Sequence, residues 1–127
     1  MNPQEKERLI QAYLQAYNNL DVEGMMEVLE EEVLFENFSS GEKTHALHGK
    51  KAFQGQALEA LSYFSSRKQT IQSIIHLEEK TEIEIAYWAI AAVDFPNGIK
   101  KGQEIRMEGK SIFEFGQKGI TKIMDIS

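Results

Sequence analysis

The side chains that could carry chemistry in this 127-residue sequence are carboxylates, hydroxyls, amides and imidazoles, because the chain contains no cysteine. That absence excludes disulfides, thiolate nucleophiles, zinc fingers and iron–sulfur clusters together. His45 and His48 would form a metal-binding pair on a helix, but their segment reads as strand and loop, where this spacing directs them to opposite faces. No third ligand accompanies them, so we expect neither a metal site nor a cofactor.

An acidic run, Glu30, Glu31 and Glu32, is the other cluster that could suggest a metal. Adjacent residues point in different directions, so the run is better interpreted as the solvated end of a helix.

The overall charge and hydropathy of the chain exclude several classes of partner. Twenty Asp and Glu against fourteen Lys and Arg give a net charge of −6, which opposes binding to a phosphate backbone. The amino terminus is polar, and the longest apolar run, residues 85–93, has only nine residues, which predicts neither a signal peptide nor a membrane span. We therefore expect a cytoplasmic protein that binds neither nucleic acid nor membrane.

Three helices are predicted in the first half of the chain. Pro3 favours a helix start, and apolar residues then recur at steps of three and four up to Leu20, which indicates about four amphipathic turns. Asp21 is a candidate cap for a second helix that ends at the acidic run. A third helix is predicted after Gly49, with its apolar face running from Phe53 to Phe64.

Period-two patterning dominates from Gln69 onward, after two shorter strands in the first half. We predict strands at residues 33–38, 44–47, 70–77, 82–95, 103–115 and 120–126, with the last four forming an antiparallel meander. Helices that precede a large sheet indicate a single α+β domain over residues 1–127, with the helices packed on one face of a curved antiparallel sheet.

Two strands carry information about their faces. From Ile105 to Phe115 the odd positions are apolar or small, so that face is expected to be buried and to include Ser111. Residues 86–93 are apolar on both faces, so the row that contains Trp88 and Ile90 needs a cover other than the core. A second subunit would supply that cover, which predicts a homodimer.

The order of these elements and five local motifs together resemble the nuclear transport factor 2-like superfold, in its SnoaL-like and ketosteroid isomerase-like branch. The motifs are AYNNLD at 16–21, VLFEN at 33–37, LHGKKAF at 47–53, SIFEF at 111–115 and GITKI at 119–123. The resemblance implies a cone-shaped barrel, related to the cystatin-like fold, in which three helices cover a strongly curved sheet around a pocket. The superfold hosts many reactions, so the fold alone assigns none.

Comparison with ketosteroid isomerases implies roles for three positions. Their oxyanion tyrosine corresponds to Tyr13, their carboxylate base to Asn37, and their protonated oxyanion aspartic acid to Ser111. An amide is not a useful base, so steroid-type isomerisation as that family performs it is not expected.

Comparison with SnoaL-like cyclases draws attention to Asp125. Their carboxyl-terminal histidine-tryptophan-aspartate segment corresponds to residues 123–125, of which only Asp125 is retained. On a strand, Asp125 shares a face with Thr121 and Ile123 and would reach the pocket mouth as a base. The alternative is a solvated residue near the chain end.

Glu36 is the other candidate base. If Glu36 faces the cavity, burial would raise its pKa toward that of a working base. If Asn37 faces the cavity instead, its amide would hydrogen-bond a ligand carbonyl or hydroxyl. In a third interpretation Glu36 pairs with a basic neighbour on the outer face.

Aromatic and methionine side chains supply the candidate lining of an apolar pocket. They are Tyr13, Tyr17, Phe35, Phe38, Tyr63, Phe64, Trp88, Met107 and Phe113.

These observations predict a SnoaL-like protein that binds a hydrophobic small molecule, with Tyr13, Asn37 and Ser111 as polar contacts. Any catalysis would be isomerase-, cyclase- or hydratase-like acid–base chemistry on a carbonyl or hydroxyl compound, with Asp125 or Glu36 as base and Tyr13 as proton or hydrogen-bond donor. The alternative is a non-enzymatic dimeric module for ligand binding or interaction.

Overall fold

The computed structural model describes all 127 residues and has an α+β fold, as predicted. The elements in chain order are α1 Pro3–Asn18, α2 Val22–Glu27, β1 Leu29–Ser39, β2 Glu42–His48, α3 Lys50–Ala60, β3 Phe64–His76, β4 Lys80–Ala91, β5 Glu104–Phe115 and β6 Ile120–Ile126. None of the three helices combines the length and the apolar character that crossing a bilayer requires.

The first two helices begin where their capping residues predict. The Asn2 side chain accepts a hydrogen bond from the backbone nitrogen of Glu5 at 2.8 Å, and the Asp21 side chain accepts one from that of Gly24 at 3.0 Å. These caps satisfy amide groups that have no partner within the helix. The chain turns between the helices at Leu20, whose φ of 57° lies in the left-handed region.

The acidic run lies on a strand, so its prediction as a helix end is wrong. β1 already begins at Leu29, which pairs with Ile120 of β6. A carboxylate oxygen of Glu30 accepts hydrogen bonds from the backbone nitrogens of Lys118 and Gly119, at 2.9 and 3.1 Å. Pairing with β6 and this contact with the β5–β6 turn outweigh the helical pattern of the preceding residues.

The six strands form one open sheet in the order β2-β1-β6-β5-β4-β3. Every neighbouring pair is antiparallel except β1 and β6, which are parallel. The sheet is therefore mixed rather than wholly antiparallel, and it is not closed into a barrel, because β2 and β3 remain as edges. Register shifts occur in four of the five pairings, and such irregularities bend strands.

One hydrophobic core fills the space between the helices and the sheet. Its most deeply buried members include Ile10 of α1, Val33 of β1, Ile83 of β4 and Ile123 of β6, each with no exposed surface. The predicted inward face of β5 is confirmed only toward its carboxyl end. There Ser111 is buried, whereas Met107 is 46% exposed.

The outer face of β4 carries the second apolar row. Trp88 pairs in register with Lys68 and Arg106, and its indole nitrogen donates a hydrogen bond to Glu104 at 2.9 Å. Trp88 and Ile90 are both half-buried within the protomer. The helices do not cover this face of the sheet.

We predict a homodimer through this outer row, because its apolar side chains need a cover that the protomer does not supply. Light scattering at micromolar concentration should give twice the monomer mass of 14.5 kDa. Ile90→Glu should yield monomers, whereas Leu58→Glu, at a 52% exposed position on α3, should leave the mass unchanged. A wild-type monomer at that concentration would contradict the prediction.

Candidate functional site

The inner face of the sheet and the helices surround a cavity of about 420 Å³, a volume typical of small-molecule sites. Eleven of its sixteen lining residues are hydrophobic. The lining consists of Tyr13, Tyr17, Met25, Phe35, Asn37, His45, Leu47, Phe53, Gln56, Ala57, Ala60, Phe64, Arg67, Tyr87, Met107 and Asp125. A smaller space of about 180 Å³ adjoins it and shares Tyr17, Asn37, Tyr87, Met107 and Asp125.

A row of polar side chains crosses four strands beneath this cavity, with Asp125 of β6 in its middle. Asp125 pairs in register with Asn37 of β1 on one side and with Ser111 of β5 on the other. Asn37 pairs in turn with His45 of β2. Residues in register on neighbouring strands project to the same face, so the sheet itself assembles this row.

Asp125 is the acidic residue of the cavity. The Ser111 hydroxyl donates a hydrogen bond of 2.7 Å to its carboxylate. Burial raises the pKa of Asp125 to about 6, even though the hydrogen bond from Ser111 acts to lower it. Of the two sequence interpretations of Asp125, the structure selects the one in which the side chain reaches the pocket.

Glu36 lies outside the cavity, so its interpretation as a cavity base is wrong. Its carboxylate is 2.6 Å from the Lys43 ammonium and 3.4 Å from that of Lys122. The hydrogen bond from Lys43, aided by the charge of Lys122, lowers the pKa of Glu36. Asn37, next to it on β1, faces the cavity, and its amide nitrogen donates to the Thr44 hydroxyl at 2.8 Å.

Three tyrosines bring hydroxyl groups to the cavity: Tyr13, Tyr17 and Tyr87. Tyr17 donates a hydrogen bond to the Tyr87 hydroxyl at 3.2 Å. The Tyr13 hydroxyl has no hydrogen bond within the protein, yet no fully buried polar side-chain atom lacks a partner, so this hydroxyl has accessible surface facing the cavity. Burial raises the pKa of all three phenols, which keeps them protonated as hydrogen-bond donors.

Some of the other predicted lining residues line the two spaces, and some lie away from them. Phe35, Phe64 and Met107 line the main cavity, and Ser111 lines the smaller space.

Four predicted lining residues do not line either space. Phe113 lies in the core, where its ring packs edgewise against that of Tyr13 at 6.1 Å. Trp88 faces the opposite side of the sheet, because β4 alternates and its Tyr87 row is the inner one. Tyr63 hydrogen-bonds Glu59 on the surface, and Phe38 lies under Lys43.

Sequence reasoning missed several polar members of the cavity walls, among them Arg67 and Gln69. Both are on β3 and both are buried, at 4% and 9% exposure. The strand was predicted to begin only at Thr70, so neither residue was assigned to a face. Arg67 and Gln69 precede Ile71 at steps of two, and this period-two spacing was the signal in the sequence that could have placed them on one face of the strand. His48, by contrast, pairs with Glu32 at the surface at 2.9 Å.

Comparison with known proteins identifies the family. Residues 10–123 match the family model described as a SnoaL-like domain. No curated protein matches the chain by sequence.

Solved structures resemble the fold over almost the whole chain. A candidate polyketide cyclase from Xanthomonas campestris pv. campestris is 20% identical with a TM-score of 0.78, over 100% of this chain and 93% of that one. AclR, a candidate hydroxylase from Streptomyces galilaeus, is 15% identical with a TM-score of 0.76, over 98% and 79%. A ketosteroid isomerase-like protein from Catenulispora acidiphila, solved with trimethylamine, is 12% identical with a TM-score of 0.76, over 98% and 85%. At these identities the likeness shows the fold alone.

We predict that Asp125→Asn stabilises the protein at neutral pH. Because the folded pKa of about 6 exceeds the ordinary aspartate pKa of 3.8, the folded state binds more protons between these pH values, and wild-type stability falls as pH rises through this window. The gain should reach at most about 3 kcal/mol above pH 6 and vanish near pH 4. Urea unfolding at both pH values measures it.

Glu84→Gln, which neutralises an exposed carboxylate on the outer side of β4, is the matched control and should show no such pH-dependent gain. Equal stability of wild type and Asp125→Asn at neutral pH would contradict the burial of a charged carboxylate.

Proposed function

The chain belongs to the SnoaL-like family, and on that premise we propose that its cavity binds an apolar small molecule bearing a carbonyl or hydroxyl group, on which Asp125 performs acid–base catalysis. The observation that carries the proposal is the position of Asp125. A carboxyl group with a pKa of about 6 lies in a mostly apolar cavity beside protonated tyrosines. A general base works best when its pKa lies near the operating pH.

The arrangement supports a proton transfer next to a carbonyl. The Asp125 carboxylate would take a proton from the carbon adjacent to the carbonyl, leaving the electron pair to form an enolate. The Tyr13 hydroxyl, which has no hydrogen-bond partner within the protein, would donate a hydrogen bond to the enolate oxygen. Asp125 would then return its proton to carbon, and the Ser111 hydroxyl would hold the carboxylate in place throughout.

This arrangement differs from the ketosteroid isomerase pattern in the location of the base. The strand position of that base is Asn37 in this chain, and its neighbour Glu36 is bound to two lysines outside the cavity. Asp125, on the adjacent strand β6, would supply the carboxylate from the next position of the same polar row. One structural neighbour is described as a candidate polyketide cyclase, and since polyketides are rich in carbonyl groups, that description supports a carbonyl compound as the substrate.

A non-enzymatic ligand-binding module is the competing function. It needs the cavity but not the raised pKa of Asp125, so proton exchange separates the two. A thermal-shift screen of apolar ketones and steroids would first select a ligand, since binding to the folded state alone raises the melting temperature.

We predict that the wild-type protein catalyses deuterium uptake from heavy water at the carbon next to the carbonyl of the selected ketone. Asp125→Asn should reduce this rate about a hundredfold or more, because it removes the base. Nuclear magnetic resonance of the ketone measures the uptake, and the wild-type rate should rise as pH increases through about 6.

Glu36→Gln is the matched control, because it neutralises a carboxylate on the neighbouring strand β1 but outside the cavity, and it should leave exchange unchanged. Binding of the ketone without enzyme-dependent exchange would favour the module without catalysis.

We further predict that Tyr13→Phe weakens ketone binding about five- to tenfold, the equivalent of one hydrogen bond. The change should leave the melting temperature of the free protein nearly unaltered, because the hydroxyl has no partner within the protein. Titration calorimetry measures the affinity. Tyr63→Phe removes a surface hydroxyl and should not alter binding; unchanged affinity in Tyr13→Phe would assign Tyr13 to the core alone.

A further inference from the structure

Arg67 is a buried cation in the cavity wall with no acidic partner. It lies on β3 and is only 4% exposed, yet it lines the cavity. None of the ion pairs in the structure includes it. Asp125 does not form an ion pair with it either, and the hydrogen bond to the Asp125 carboxylate comes from the Ser111 hydroxyl.

The contacts of the Arg67 guanidinium within the protein use only some of its hydrogen-bond donors. Its Nε donates to the backbone oxygen of Tyr17 at 2.9 Å, and its Cζ lies 3.6 Å from the Tyr17 ring centroid. Nη2 approaches only the Met25 sulfur, at 4.0 Å. These contacts join β3 to the end of α1 and to α2, and they fix the orientation of the side chain.

The remaining donors face the cavity. Nη1 has no hydrogen-bond partner within the protein, and no fully buried polar side-chain atom is left without one. Nη1 therefore has accessible surface, and the cavity is the space that Arg67 lines. A preoriented guanidinium edge with free N–H groups is thus directed at the position a ligand would occupy.

A buried cation without a counterion costs free energy that an anionic ligand can offset. The planar guanidinium matches a carboxylate in shape and donates two parallel hydrogen bonds to it. A single guanidinium favours a single negative charge. The Asp125 carboxylate in the same cavity and the net charge of −6 both oppose ligands with two or more charges.

We infer that Arg67 binds the carboxylate group of an apolar monocarboxylic acid, and that this group orients the ligand in the cavity. This inference rests on the proposed function, since it names the class of compound that the same cavity takes. The ligand would combine an apolar body, a reactive carbonyl or hydroxyl, and a carboxylate held at the β3 wall.

The test compares two probes of the same shape, β-naphthoate and β-naphthamide, by titration calorimetry at pH 7.5, where the first is an anion and the second is neutral. The wild-type protein should bind the naphthoate about tenfold or more tightly than the amide, as expected for charge-assisted hydrogen bonds. Arg67→Met should abolish this preference, and Arg67→Lys should retain part of it.

Lys68→Met is the matched control, because it removes a positive charge from the adjacent, exposed position on the outer face of β3, and it should keep the preference. If Arg67→Met does not fold by circular dichroism, a crystal structure of the wild-type protein with naphthoate decides instead. Its carboxylate oxygens should lie about 3 Å from the Arg67 Nη atoms.

The failures of the two proposals are distinguishable. Equal wild-type affinities for the two probes, a preference that survives in Arg67→Met, or a carboxylate placed away from Arg67 would overturn the inference and leave the cavity proposal intact. Binding of ketones but of neither naphthyl probe would do the same. If ketones, steroids and both probes all fail to bind, both proposals are overturned.

Discussion

The parallel pairing of β1 with β6 is the interaction on which the site depends. It brings the amino-terminal third of the chain against its carboxyl end, and it sets Asn37 opposite Asp125. The antiparallel pairing of β6 with β5 sets Ser111 on the other side. Because each pairing fixes a register, a slip of one residue would turn Asp125 out of the cavity and Met124 into it. The same registers that bury Val33 and Ile123 therefore also place the carboxylate.

Two buried ionisable side chains, Asp125 and Arg67, line the same cavity, and each lowers the folding stability because it has no partner of opposite charge. Asp125 lacks a cationic partner, and Arg67 lacks an anionic one, although both line the same cavity. Had they formed a direct ion pair, each would have satisfied the other and the cavity would have lost its acid–base group. Keeping them apart leaves Asp125 with a raised pKa and leaves guanidinium donors free. The structure thus holds two unpaired ionisable groups at the cavity wall at a cost in folding stability, an arrangement common at functional sites.

The sequence predicted the elements well and the faces unevenly. Periodicity located all three helices and the four-strand meander, because long amphipathic patterns depend on local residues alone. It did not decide between Glu36 and Asn37, since neighbours on a strand face opposite ways and the choice rests on which face β6 and the helices cover. Trp88 was ambiguous for a related reason: both rows of β4 are apolar there. Arg67 escaped notice because its burial depends on Tyr17, fifty positions earlier in the chain.

The division of labour between helices and sheet explains how this architecture can vary its chemistry. The helices contribute mainly apolar wall, as with Phe53 and Ala57, whereas most of the polar groups come from strand positions that alternate with core residues. A strand position in the polar row can change from carboxylate to amide or hydroxyl without disturbing helix packing, because its neighbours on the strand point the other way. Asn37 and Ser111, which the resemblance to ketosteroid isomerases aligns with acidic residues, are an amide and a hydroxyl in two such positions. Asp125 is the one acidic side chain lining the main cavity, so β6 supplies the only carboxylate of the row.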